Sequence, residues 1–174
     1  MTDWLIKKIH HFESRAFLAN KDKIVLYPEL SQAIKDQTKH FIESGIQPAD
    51  IVILKGDYTL EAIASLLALF QLKAIVAPVA VDAENEQQQR IEASKAQWVI
   101  QTHPQINITP LKSDSNPHTY IQTLKESGEA GLILFSSGST GEPKAMIHSA
   151  ERLLNPFKNK RPKKLSILIF LLFD

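Results

Sequence analysis

A series of short apolar runs, separated by helical patterns, constrains this chain more than any other feature. Ile51-Val52-Ile53-Leu54, Ala74-Ile75-Val76-Ala77-Pro78, Gln97-Trp98-Val99-Ile100 and Leu132-Ile133-Leu134-Phe135 are rich in branched or aromatic residues and do not alternate with polar ones. A strand with one wet face alternates, whereas a strand covered on both faces is apolar throughout. Between these runs lie helical spacings. Leu30, Ala33, Ile34, Phe41 and Ile42 fall on one face, after a short strand at Lys23–Tyr27. Ala62, Ile63, Leu66, Leu67, Leu69 and Phe70 make a second helix apolar nearly all round, hence buried. A polar helix follows over about Glu84 to Lys95. Strands alternating with helices predict an α/β fold, a mostly parallel sheet flanked by helices.

Punctuation residues sharpen the boundaries. Gly45 is placed to end the first of these helices in a left-handed conformation. Pro48-Ala49-Asp50 reads as a turn, and Asp57 or Thr59 as the cap of the helix after it. Residues 102–118 hold Pro104, Pro110 and Pro117 among Asn, Asp and Ser, and read as a long surface connection with one short strand at Ile106–Thr109. Trp4, Ile9 and Phe12 give the N-terminal helix an apolar stripe for docking on the domain. Leu165–Phe173 reads as a buried strand, yet the chain stops at Asp174. An unprotected apolar strand is an aggregation liability, so the chain is expected to be a truncated fragment of a longer protein.

Charge and cysteine content narrow the chemistry. The 174 residues carry a net charge of +1 and no cysteine. Disulfide frameworks and thiolate nucleophiles or metal sites are therefore excluded. The basic run from Lys158 to Lys164 lacks interleaved aromatics and reads as a solvated loop, with no nucleic-acid partner expected. His10-His11 reads as solvated surface and His148 as structural. The N-terminus lacks the pattern of a signal peptide. The C-terminal apolar run is about half the length a membrane span needs, so a cytoplasmic protein is expected.

The stretch Gly131-Leu132-Ile133-Leu134-Phe135-Ser136-Ser137-Gly138-Ser139-Thr140-Gly141-Glu142-Pro143-Lys144 carries the chemistry. An apolar strand opens into small and hydroxyl residues, and a lysine follows. Gly138 and Gly141 permit positive φ and close backbone approach to a ligand. Successive N–H groups in such a turn form a concave anion site. Ser136, Ser137, Ser139 and Thr140 add hydroxyl donors and Lys144 a positive charge, a set that suits a polyphosphate. Neither the Walker spacing nor the Rossmann Gly-x-Gly-x-x-Gly is present, and a strand rather than a helix is expected after Lys144.

From Ile133 through Lys144 this string resembles the signature loop of the adenylate-forming superfamily, which includes acyl-CoA synthetases, peptide-synthetase adenylation domains and firefly luciferases. Ala145 stands where many members have glycine. The resemblance extends to Tyr27-Pro28-Glu29-Leu30, to Ser44–Val52 with Ala49 in place of a usual glycine, and to Leu67–Ala74 followed by Ala77-Pro78-Val79, with Ile75 replacing another. Arg90-Ile91 through Val99-Ile100 is similar to the helix and strand that come next.

The resemblance implies an incomplete N-terminal domain over 1–174, with the rest of that domain and a small C-terminal domain absent. It implies ATP, with Mg2+, activating a carboxylic acid to an acyl-adenylate, then transfer to the thiol of coenzyme A or of a carrier protein. Ser136, Ser137, Gly138, Ser139, Thr140, Gly141 and Lys144 would hold the β- and γ-phosphates. The expected catalytic residues lie beyond Asp174, no metal ligand is assigned, and the fragment alone is expected to be inactive. An acyl-CoA synthetase is the leading expectation. A nonribosomal peptide synthetase adenylation domain and a non-catalytic phosphate-binding module are the alternatives.

Overall fold

The structure, a computed structural model, describes residues 3–12, 14–20, 23–81, 84–112, 118–137 and 143–161. Along the chain come α1 (Asp3–His10), β1 (Ala16–Asn20), β2 (Lys23–Leu26), α2 (Tyr27–Glu43), β3 (Ile51–Gly56), α3 (Leu60–Gln71) and β4 (Ile75–Ala80). There follow α4 (Glu84–Ser94), β5 (Trp98–Gln101), β6 (Asn107–Pro110), α5 (Thr119–Ser127), β7 (Gly131–Ser137), β8 (Pro143–Ser149) and α6 (Ala150–Leu154). A short 3-10 turn at Asn155–Phe157 is the last element among the described residues.

Among the described residues, β6-β5-β3-β4-β7-β8 form one six-stranded sheet, and β1 pairs with β2 as a separate antiparallel ribbon. The interior pairs β5–β3, β3–β4 and β4–β7 are parallel, while β6 and β8 add antiparallel edges. The expected mostly parallel α/β architecture is what the chain adopts.

Successive strand residues face opposite sides, and both sides are filled. Val52, Leu54, Val76 and Ile100 pack with Leu30, Ile34 and Phe41 of α2 and Ala68 and Leu69 of α3. Ile51, Ile53, Ile75, Ala77 and Val79 face the other way, toward Ile91 of α4 and Ile121 and Leu124 of α5. This two-sided cover explains the missing alternation in β3 and β4, whose residues are all buried.

The caps follow the local chemistry. Thr59 caps α3, its side chain accepting from the Ala62 amide at 3.2 Å. Glu29 accepts from the Leu26 amide at 2.8 Å, and Tyr27 opens α2 instead of ending the strand before it. Past the end of α2, Gly45 adopts φ +93°, as its position predicts. Ala49 also has a left-handed φ, +67°, at the position where the resemblance expects glycine. Asp50 fixes that turn, accepting from the Gln47 amide and the Trp98 indole, both at 2.9 Å.

Ile9 of α1 is buried against the first core cluster, and the Phe12 ring lies 4.7 Å from Tyr27, so the N-terminal stripe does dock. His10 is not merely solvated: its Nδ1 lies 2.9 Å from the Ser31 hydroxyl. Residues 102–118 carry the expected short strand as β6, and α5 begins directly after them. The Leu165–Phe173 run lies outside the described residues. No helix among the described residues is long and apolar enough to cross a membrane.

Candidate functional site

β7 and β8 form a hairpin at one side of the sheet, and Ser136, Ser137 and Lys144 of the predicted site lie toward the end where the two strands are joined. Ser136 and Ser137 end β7, and Lys144 is the second residue of β8, so a strand does follow the loop. Register places Ser136 opposite Lys144 and Ser137 opposite Pro143. A serine and an exposed lysine from the two ends of the loop are thereby brought side by side. Gly138, Ser139, Thr140 and Gly141 lie outside the described residues.

The base of this hairpin is fixed tightly. The Gly131 amide donates to the Ala74 carbonyl at 3.1 Å, and the Ala150 amide to the Ala130 carbonyl at 2.9 Å. Lys73 forms an ion pair with Glu151 of α6 at 3.1 Å. Gly131 is required for close packing: a Cβ there would stand 2.9 Å from both Cγ atoms of Ile75 and 3.0 Å from Cδ1 of Leu124. Above the base the ladder to β4 stops. β7 pairs with β4 only at Gly131 and Leu132. That ladder ends at Val76, two residues before Pro78, which has no N–H to extend it.

β7 runs parallel to β3, β4 and β5, so the loop emerges at their carboxyl ends. In open α/β sheets ligands bind at that edge, where the strand order reverses. Here β3 feeds β4 on one side and β4 feeds β5 on the other, so the reversal lies between β3 and β4. Lys55, opposite Val79 at this point, is only 4% exposed, and its ammonium donates to Oε1 of Gln87 on α4 at 3.3 Å. Arg90, one turn further along α4, places its guanidinium carbon 5.3 Å from the Phe135 ring centroid. The sequence reading ended the strand at Leu54, before Lys55, and named Arg90 only within a family-like stretch, with no part in the site. A lysine directly continuing an apolar run was the available signal for Lys55.

The donor set at the hairpin is hydroxyl and ammonium, which matches phosphate oxygens. Among the described residues no cluster of three or more His, Asp or Glu could hold a metal ion. A Mg2+ ion that binds together with a nucleotide ordinarily takes only one or two carboxylates, with the phosphates, as ligands.

A profile of the family described as "AMP-binding enzyme" matches residues 7–168. The nonribosomal peptide synthetase opaA of Aspergillus ustus is 30% identical over 132 residues, which is 68% of this chain and 3% of that protein. Among solved structures, the NpsA N-terminal subdomain of Klebsiella oxytoca, in complex with 3-hydroxybenzoyl-AMSN, matches with a TM-score of 0.65 at 22% identity, over 86% of this chain and 40% of that one. O-succinylbenzoate coenzyme A synthetase (MenE) of Bacillus subtilis, in complex with AMP, matches with a TM-score of 0.62 at 17% identity, over 88% and 43%. The chain thus spans well under half the length of each of these relatives.

Proposed function

The chain belongs to the AMP-binding enzyme family, and from that premise we propose that it supplies the phosphate-holding part of an enzyme that joins a carboxylic acid to AMP. In that reaction a carboxylate oxygen attacks the α-phosphorus of ATP, the bond to the β-phosphate oxygen breaks, and pyrophosphate leaves. The charge developing on the leaving group must be met by donors already in place. We assign this to Ser136, Ser137, Gly138, Ser139, Thr140, Gly141 and Lys144. The observation that carries the reading is the cross-strand pairing of Ser136 with Lys144 on a ribbon at the carboxyl ends of the parallel strands. Mg2+, when bound with ATP, supplies further neutralisation of phosphate charge.

The acceptor is the finer question. The sequence alone put an acyl-CoA synthetase first, and the relatives bring a peptide-synthetase adenylation domain at least level with it. The relative named as a peptide synthetase has 30% identity, so we take a carrier-protein thiol as the first reading. The likeness to a protein named as a coenzyme A synthetase keeps coenzyme A as the second. This chemistry is assigned to the cytoplasm, where ATP is held. Residues 1–174 by themselves are assigned only phosphate holding, and no exchange activity of their own.

Acid-dependent exchange of labelled pyrophosphate into ATP tests the proposal, using the full natural protein and a panel of amino, aryl and fatty acids. Exchange driven by a subset of the acids is expected. No exchange and no ATP binding would overturn it. Offering the adenylate a pantetheinylated carrier protein and, separately, coenzyme A then decides between the acceptors.

A further inference from the structure

Beyond Leu132, β7 has only β8 as a strand neighbour among the described residues. A two-stranded ribbon is at best marginally stable in water. A phosphate site built on it needs another support, because hydrogen bonds to phosphate oxygens depend on donor placement to a few tenths of an ångström.

We propose that α4 is the strut that holds this hairpin in place, with Arg90 as its positioning residue. Gln87 and Arg90 are three residues apart and share one face of the helix. Gln87 reaches back to the central strand through the buried ammonium of Lys55. Arg90 reaches forward to the face of Phe135, the residue covalently joined to Ser136. One helical turn therefore spans from β3 to the ribbon at the level where strand pairing has stopped. Lys55 alternates with Leu54 and so falls on the same side of the sheet as Ile53, which is the α4 side. Phe135 and Ile147 pack against that same cluster.

α4 also lies close along β8. Toward the end of α4, Ala93, Ser94 and Lys95 share with Ala145 to His148 the lining of a cavity of about 650 Å³. The guanidinium over the ring is where α4 meets β7 next to Ser136. A cation over an aromatic face gains in strength as water is excluded, and Arg90 is half-buried. Losing that contact is expected to loosen Phe135 to Ser137 without unfolding the sheet.

The consequence for ATP rests on the function proposed above, whereas the mechanical claim does not. Two measurements on the full natural protein separate them. The first is amide hydrogen exchange without nucleotide, comparing wild type with Arg90→Met, which keeps the apolar stem and removes the charge. Faster exchange confined to 133–137 and 144–147, with β3 and β4 unchanged, is expected. Unchanged protection there, or equal loss throughout the sheet, overturns the strut.

The second is a double-mutant cycle in ATP dissociation constant with Arg90→Met and Phe135→Leu. Each is expected to weaken binding by about fivefold. The pair should also weaken it by about fivefold, because both remove the same contact. A multiplicative loss of about 25-fold would mean two independent structural effects and would refute Arg90 as a positioning residue. If wild type binds no ATP, the nucleotide assignment fails while hydrogen exchange still decides the strut.

Discussion

Gly131→Ala offers the sharpest check of how the hairpin is mounted. Its Cβ would lie 2.9 Å from Cγ1 and Cγ2 of Ile75 and 3.0 Å from Cδ1 of Leu124. Comfortable carbon–carbon contact begins near ~3.5 Å, so the strand must retreat by roughly 0.6 Å or more. Leu124 can swing a methyl aside. Ile75 cannot, being fully buried and crowded by both of its γ carbons. The retreat also stretches the hydrogen bond from Gly131 to Ala74, 3.1 Å at rest, beyond useful length. Overpacking of this kind costs about 1–3 kcal/mol, and the weakened hydrogen bond adds about 1 kcal/mol. A loss of about 2–4 kcal/mol is therefore expected in urea denaturation, read from the midpoint at constant slope. Two backgrounds identify the cause. Ile75→Val keeps both γ carbons and should leave the cost unchanged, while Ile75→Ala removes them and should cut it to below about 1 kcal/mol. A cost under about 0.5 kcal/mol in the wild type, or the same cost in both backgrounds, would refute the packing argument.

Other substitutions probe separate links. Ala49→Gly should stabilise the protein by about 1 kcal/mol, since an alanine held at φ +67° carries the left-handed penalty that glycine escapes; an unchanged or lowered melting temperature would contradict this. Asp50→Ala strips the acceptor from both the Gln47 amide and the Trp98 indole and should cost about 2 kcal/mol in the same denaturation assay. Lys144→Ala should lower ATP-dependent turnover by about tenfold or more, the contribution of one charged phosphate contact, with little change in folding stability. A loss below about twofold would mean the loop is wrongly assigned.

What the sequence disclosed, it disclosed through burial. β3, β4, β5 and β7 are apolar on both faces because helices cover both, and that leaves a mark in the residue types themselves. α3 was legible for the same reason, and its Thr59 cap because a hydroxyl before an apolar run has few other uses. The strand after Lys144 was legible as well. β1 was not, since Ala16–Asn20 is five residues long and gains its partner only from the neighbouring β2. α5 was hidden too: only Ile121 and Leu124 are buried in it, and it follows directly on a stretch rich in proline and polar residues. Lys55 was misplaced because a charge normally ends an apolar run, whereas here Gln87 answers its ammonium inside the fold. The Arg90–Phe135 contact had no local signature at all. It joins residues from different elements and exists only once α4 has been laid over the sheet.

The most direct test is to watch backbone amides while MgATP, and then inorganic pyrophosphate, is titrated into isotopically labelled protein. Bound phosphate should shift the amides of Ser136, Ser137 and Lys144 in a saturable way, with both ligands competing for the same residues and the β1–β2 ribbon unaffected. Shifts that leave those three amides untouched and gather instead around α5 and α6 would contradict the assignment of this hairpin to the nucleotide.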